Sequence, residues 1–181
     1  MSRLILIILP FIFSLCATAQ NYGPVDEGSK VHFTIKNFGI NTGGTLSGLK
    51  GNILFDPTNL AVSNFDVSVD VKTIDTDIEN RDEHLKGDNY FDAETYPVIV
   101  IKSTNVISNT AKQGEYNFSG TLTMHGITKD ISFPFSATPS GNDYLFSGDF
   151  EINRLDYSIG QASAVMSKTV KVSLSVLAKK S

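Results

Sequence analysis

The chain has 181 residues, 15 Lys and Arg against 19 Asp and Glu, a net charge of −4, and 41% hydrophobic residues. That length suits one domain with a sizeable core, and the mild acidity argues against nucleic acid or an anionic membrane surface as a partner. The single cysteine, Cys16, excludes an internal disulfide.

The first element reads as an export signal. Arg3 supplies the positive start, Leu4 to Leu15 form an apolar run broken by Pro10 and Ser14, and Ala17-Thr18-Ala19 offers small residues for a signal peptidase. Cleavage is expected after Ala19, leaving residues 20–181 as one domain. The apolar run is too short to span a bilayer and no second one follows, so stable membrane insertion is not expected. A lipoprotein anchored through Cys16 is disfavoured by Leu15, which stands where such a signal needs a small residue. Cleavage removes Cys16 and Arg3, so the mature chain has no cysteine and is one charge more negative.

Beyond the leader, period-two alternation dominates. Val31, Phe33 and Ile35 alternate with His32, Thr34 and Lys36; Phe65, Val67, Val69 and Val71 alternate with Asp66, Ser68, Asp70 and Lys72. Tyr116, Phe118, Leu122 and Met124 share a face, as do Ile131, Phe133 and Phe135, and Val170, Val172, Leu174 and Val176. Such alternation marks half-buried antiparallel strands. Further strands are expected around Leu46–Phe55, Val98–Val106 and Leu145–Ile152, giving about eight, a number typical of a small closed barrel or a sandwich. Turns are expected at Asn41-Thr42-Gly43-Gly44, Asp56-Pro57-Thr58-Asn59, Gln113-Gly114, His125-Gly126 and Ser140-Gly141-Asn142-Asp143. Pro134 falls inside a strand pattern and is expected at an edge or bulge, because it cannot donate to a ladder.

One helix is expected, from about Thr76 to Lys86, capped by Thr76 or Asp77 and ended by a left-handed Gly87. Ile78 and Leu85 would share its packing face, with Arg81 and Asp82 between them, while His84 and Lys86 point elsewhere. Arg81 with Asp82 reads either as a polar clamp for an anionic or carbonyl-bearing head group, or as a structural ion pair or set of hydrogen bonds to neighbouring backbone that fixes the helix on the barrel. His32, His84 and His125 lack metal-ligand spacing, so no metal site is expected, and His125 beside Gly126 is most simply a turn residue. No nucleophile elbow or phosphate-binding glycine loop is present, so no catalytic residue is assigned and no cofactor is expected. Twelve Phe and six Tyr form a heavy aromatic load at mostly inward positions. A barrel lined this way either fills itself or holds one elongated apolar ligand, in a tunnel roughly 30 Å deep for strands of ~10 residues.

Several segments together resemble one family. They are Ser29-Lys30-Val31-His32-Phe33-Thr34-Ile35-Lys36-Asn37; Gly48 to Asp56; Val69-Asp70-Val71 with Ile74-Asp75-Thr76; the block from Arg81-Asp82-x-His84-Leu85-Lys86 through Phe91-Asp92 to Tyr96-Pro97; Gly120-x-Leu122-x-Met124-His125-Gly126-Ile127-Thr128; and Asn153-Arg154-x-Asp156-Tyr157-x-Ile159-Gly160. Through these the chain resembles the YceI-like proteins, polyisoprenoid-binding exported proteins with a lipocalin-like barrel. Tyr90 stands where relatives often carry Phe, and Ser158 where Gly is common. The resemblance implies an all-β, antiparallel eight-stranded lipocalin-like barrel with one short helix near the mouth. It also implies a periplasmic or secreted location and an isoprenoid, isoprenoid quinone or similar long-chain amphiphile as ligand.

On these grounds the polar ligand contacts expected are Arg81, Asp82, Arg154 and Tyr157. The apolar lining expected is Phe33, Phe65, Val67, Leu85, Phe91, Phe118, Leu122, Phe133 and Phe150. A bound lipid or isoprenoid is expected as the partner, with no nucleic acid, and a homodimer is compatible with the chain. The competing readings are an enzyme acting on a lipid or amide in the same cavity, and an interaction module whose barrel is filled and whose loops, such as Asn37–Thr45 or Ser158–Ser167, carry function.

Overall fold

The computed structural model describes residues 20–110 and 112–181. The export signal read at residues 1–19, its cleavage site and Cys16 lie outside the described residues. The strands are β1 (Gln20–Asn37), β2 (Ile40–Phe55), β3 (Asn64–Asp75), β4 (Val98–Ser108), β5 (Glu115–Met124), β6 (Ile127–Ser140), β7 (Asp143–Asn153) and β8 (Met166–Lys180). Each pairs antiparallel with its neighbour in sequence, and β8 closes on β1 from Tyr22↔Lys180 to Asn37↔Met166. The result is an up-and-down barrel with no open edge, which removes the row of unpaired backbone groups that a free edge would expose.

Alternation has the expected consequence on β3 and β5. Phe65, Val67, Val69 and Val71 are buried in turn, as are Tyr116, Phe118, Gly120, Leu122 and Met124. On β8 the same pattern gives a different outcome. Val170, Val172 and Leu174 are only half-buried, because their side chains face a void and not other side chains.

The two ends of the barrel are built differently. At the end formed by the starts of β1, β3, β5 and β7, an aromatic plug fills the interior. Phe55, 1% exposed, stands at its centre, with ring centroids of Tyr116, Tyr144 and Phe146 at 5.4, 5.2 and 5.3 Å in edge-to-face contact. Phe65, Phe118, Phe133 and Phe135 complete it. Edge-to-face packing sets the positive ring edge on the negative ring face, so each pair adds to plain area burial. The opposite end carries the one α-helix among the described residues, α1 (Glu79–Lys86), and the loop between β7 and β8.

Two glycines expected in a turn belong to a strand. Asn41–Gly44 lies within β2, and the hairpin tip is Phe38-Gly39, both with positive φ (50° and 77°). Gly43 and Gly44 are strand glycines for a steric reason. A Cβ on Gly43 would stand 2.4 Å from the Phe33 carbonyl oxygen, and one on Gly44 2.5 Å from that of Asp75. Pro134 sits just before β6–β7 pairing begins at Phe135↔Gly148, so its missing donor interrupts no ladder on that side.

Candidate functional site

The helix end is organised around Thr76, which follows β3. Its backbone N–H donates to Asp82 Oδ1 at 2.9 Å, and its hydroxyl donates to the same oxygen. That hydroxyl accepts from Arg81 Nε at 2.8 Å, and the Thr76 carbonyl accepts from Arg81 Nη2 at 2.5 Å. Arg81 and Asp82 therefore grip one residue from two sides. No ion pair joins them among the described residues, and the structural reading takes its second form, hydrogen bonds to the neighbouring Thr76 backbone and hydroxyl. Asp82 is buried, takes both Thr76 bonds on Oδ1 and is absent from the cavity wall, which makes it an anchor for α1 and not a ligand contact.

The helix itself is shorter than its sequence suggested. It starts at Glu79 because Asp77 is left-handed (φ 63°) and Ile78 extended, and no side chain caps it. Ile78 is consequently outside the helix and 51% exposed, so it does not share a packing face with Leu85. Gly87 ends the helix, but in an extended conformation (φ −69°, ψ 167°) and not the left-handed one expected. His84, expected to point away, lies at the cavity rim with its ring 4.9 Å from that of Tyr90.

The remaining loops of this end lock onto one another. Arg154, 3% exposed, donates from Nε to the Ser167 carbonyl (2.9 Å), from Nη1 to Ile159 (2.7 Å) and from Nη2 to Gln161 (2.8 Å). Its fork is thus engaged in holding the β7–β8 loop in shape, while the side chain also borders the cavity. Tyr157, expected as a polar contact, does not reach the cavity. It is absent from the cavity wall and buried with Leu122, Met124 and Ile159, and that burial raises its pKa, with Asp156 adding to the effect. The Tyr157 carbonyl lies 3.1 Å from His125 Nδ1, and Tyr96 packs against the His125 ring at 4.8 Å. The Gly160 N–H donates to the Asn89 carbonyl, and a Cβ there would meet the Tyr90 ring at 2.9 Å.

Behind this frame lies a cavity of about 450 Å³ that opens at the helix end. Of the expected apolar lining, Phe33, Val67, Leu85, Phe91, Leu122 and Phe150 border it. Phe65, Phe118 and Phe133 do not; they belong to the plug. The floor is visible in one stack: Phe150 on the wall lies 4.7 Å from Phe133, which lies 4.9 Å from Phe118. The expected tunnel is therefore a blind cavity occupying one half of the barrel. Sequence reasoning missed wall residues such as Ile35, Leu46, Ile99, Ile101 and Val172. Their signal was available as inward positions in the strand halves nearest the helix.

Polar residues gather at the mouth, Asn37, Thr42, Thr76, Arg81, His84 and Arg154, while His32 and Ser68 border the cavity farther along the wall. Arg81 uses Nε and Nη2 on Thr76, and no described residue accepts from its Nη1. Among the described residues no group of three His, Cys, Asp or Glu could hold a metal ion.

Fold and site together define a small closed antiparallel barrel with a one-ended apolar cavity beneath a helix-bearing mouth. A YceI-like domain model matches residues 23–178, and the chain belongs to that family. It is 29% identical over 170 residues to a UPF0312 protein of Yersinia pestis, covering 88% of this chain and 86% of that one. It is 30% identical over 132 residues to the UPF0312 protein VPA0850 of Vibrio parahaemolyticus, covering 71% and 69%. Among solved structures it is similar to Burkholderia cenocepacia BcnA (TM-score 0.77, 24% identity, 82% of this chain and 95% of that one). It is also similar to a polyisoprenoid binding domain from Saccharophagus degradans implicated in plant cell wall breakdown (TM-score 0.71, 18% identity, 91% and 100%).

Proposed function

We propose that this protein is an exported carrier that holds the tail of a long-chain amphiphile, an isoprenoid, isoprenoid quinone or similar lipid, inside the barrel. The observation that carries this reading is the blind, predominantly apolar cavity, whose two arginines, Arg81 and Arg154, stand at its mouth. Such a site binds a tail by removing it from water, at ~0.8 kcal/mol per CH₂, and orients the head group outward. Export to the periplasm or beyond rests on the leader at residues 1–19.

The volume bounds the cargo. At ~30 Å³ per methylene-sized group, about the share of a water molecule in the liquid, the cavity takes on the order of 15 carbons. Three isoprene units fit, and a longer polyisoprenoid would leave the rest of its chain outside the mouth. Arg81 Nη1 is the donor best placed to meet an anionic or carbonyl-bearing head group there, since Asp82, Arg154 and Tyr157 are engaged elsewhere.

Native mass spectrometry of protein purified from its own host, paired with titration of prenols and fatty acids of increasing length, tests the proposal. A co-purifying amphiphile and an affinity that rises with length and levels off near 15 carbons support it. No retained lipid and no length dependence would refute it.

A further inference from the structure

One side of the mouth carries a feature that holding a tail does not require. The β1–β2 hairpin tip exposes Phe38 (74%) and Ile40 (69%), and the adjoining β7–β8 loop exposes Val165 (44%). These belong to one patch, because the Phe38 N–H donates to the Val165 carbonyl at 2.9 Å. Phe38 also occupies the first left-handed position of a two-residue hairpin turn, with φ 50°, followed by Gly39 at 77°. Asn or Gly suits that position; a bulky aromatic residue rarely adopts it. A strained, exposed phenylalanine serves neither turn nor core, and strain of this kind points to function.

Two further observations say what covers the patch. Lys36 and Lys168 border one shallow hollow beside Val165, and neither makes an ion pair among the described residues. Met166 and Arg154 border both this hollow and the cavity, so the patch is continuous with the mouth. Apolar side chains at a tip, flanked by unpaired lysines, match the boundary between acyl chains and phosphates.

We propose that the protein docks peripherally on a phospholipid surface through this edge of its mouth, with Phe38, Ile40 and Val165 entering the acyl boundary and Lys36 and Lys168 meeting lipid phosphates. The chain's overall acidity opposes long-range attraction to anionic membranes, so the apolar contact must dominate and the lysines act locally. The acidic α1 packs on β3, two strands away from β1. This inference goes beyond the carrier reading and does not depend on which cargo is held.

The test is co-sedimentation with vesicles of phosphatidylcholine, with and without phosphatidylglycerol, using the mature chain. Phe38→Asn keeps the left-handed turn, so its thermal midpoint should match or exceed that of the parent, while its vesicle partitioning should fall about tenfold on both compositions. The double variant K36E/K168E should weaken binding several-fold, more at low salt than at high. Binding of a short soluble prenol in vesicle-free solution should be the same in all variants, which separates docking from tail binding. Parent protein that fails to sediment with either vesicle, or F38N that sediments as well as the parent, overturns the proposal. So does a parent dimer in solution that F38N converts to monomer, which would assign the patch to a second copy of the chain.

Discussion

Replacing Phe133 by alanine should deepen the cavity, because this ring separates void from plug. It stacks on Phe150 of the wall at 4.7 Å and on Phe118 beneath at 4.9 Å, and it is 6% exposed. The substitution removes six ring carbons and leaves a benzene-sized hole of up to about 150 Å³. That adds about a third to a cavity of about 450 Å³. At ~30 Å³ per methylene-sized group the extra space takes roughly four or five carbons, one isoprene unit. The empty variant should lose about 3–5 kcal/mol, which is roughly a 10–15 °C drop in Tm for a domain of ~160 residues. Titrating prenols or fatty acids of increasing length should then show the affinity plateau moved four or five carbons longer, with the longer ligand restoring part of the lost Tm. A plateau at the parental length, in a variant that is folded and destabilised as expected, would refute the placement of the floor at Phe133.

Three other outcomes follow from the geometry. Arg81→Ala should weaken binding of ligands with an anionic head about 10- to 100-fold, the worth of ~1.5–3 kcal/mol for a charge-assisted hydrogen bond, and leave uncharged prenols nearly unaffected; calorimetric titration of matched acid and alcohol pairs reads this. Asp56 accepts from Thr58 Oγ1, the largest cause of its depressed pKa, and from the N–H groups of Thr58 and Asn59, so its carboxylate stabilises the fold above the ordinary Asp range. That contribution should fade as pH falls below about 4, and a Tm–pH profile of Asp56→Asn should be flatter there than that of the parent. Ser158 is left-handed (φ 57°) at the end of the short 3₁₀ turn Arg154–Tyr157, so Ser158→Gly should raise stability by about 0.5–1 kcal/mol in urea denaturation.

Much of the architecture was legible in the residues. Half-buried strands with inward Phe65, Phe118 and Phe133 follow from a period of two, which states which face is buried but not what it is buried against. For that reason these three rings were read as cavity wall, although they make the plug. The helix was legible by its polarity, but its start was not, because the left-handed Asp77 accompanies side-chain contacts of Arg81 and Asp82 with Thr76 that hydrophobic periodicity does not encode. The segment 41–44 was read as a turn because glycines mark turns and close backbone approaches alike, and only the neighbouring strand tells them apart.

The amino-acid sequence alone determined the strand number, the antiparallel meander, the place of the helix at one end and the family, since all of these depend on local periodicity and on motifs. Tertiary structure alone decided where the barrel is full and where it is hollow. Val172 and Phe133 are both inward apolar residues of a strand, yet one faces void and the other an aromatic stack. The difference arises from side chains contributed by all eight strands at one height, and no local pattern encodes that sum. The same holds for Arg154 and Arg81. Each is a guanidinium in a motif segment, and only the path of the surrounding backbone spends the first on three carbonyls and leaves an Nη of the second at the mouth.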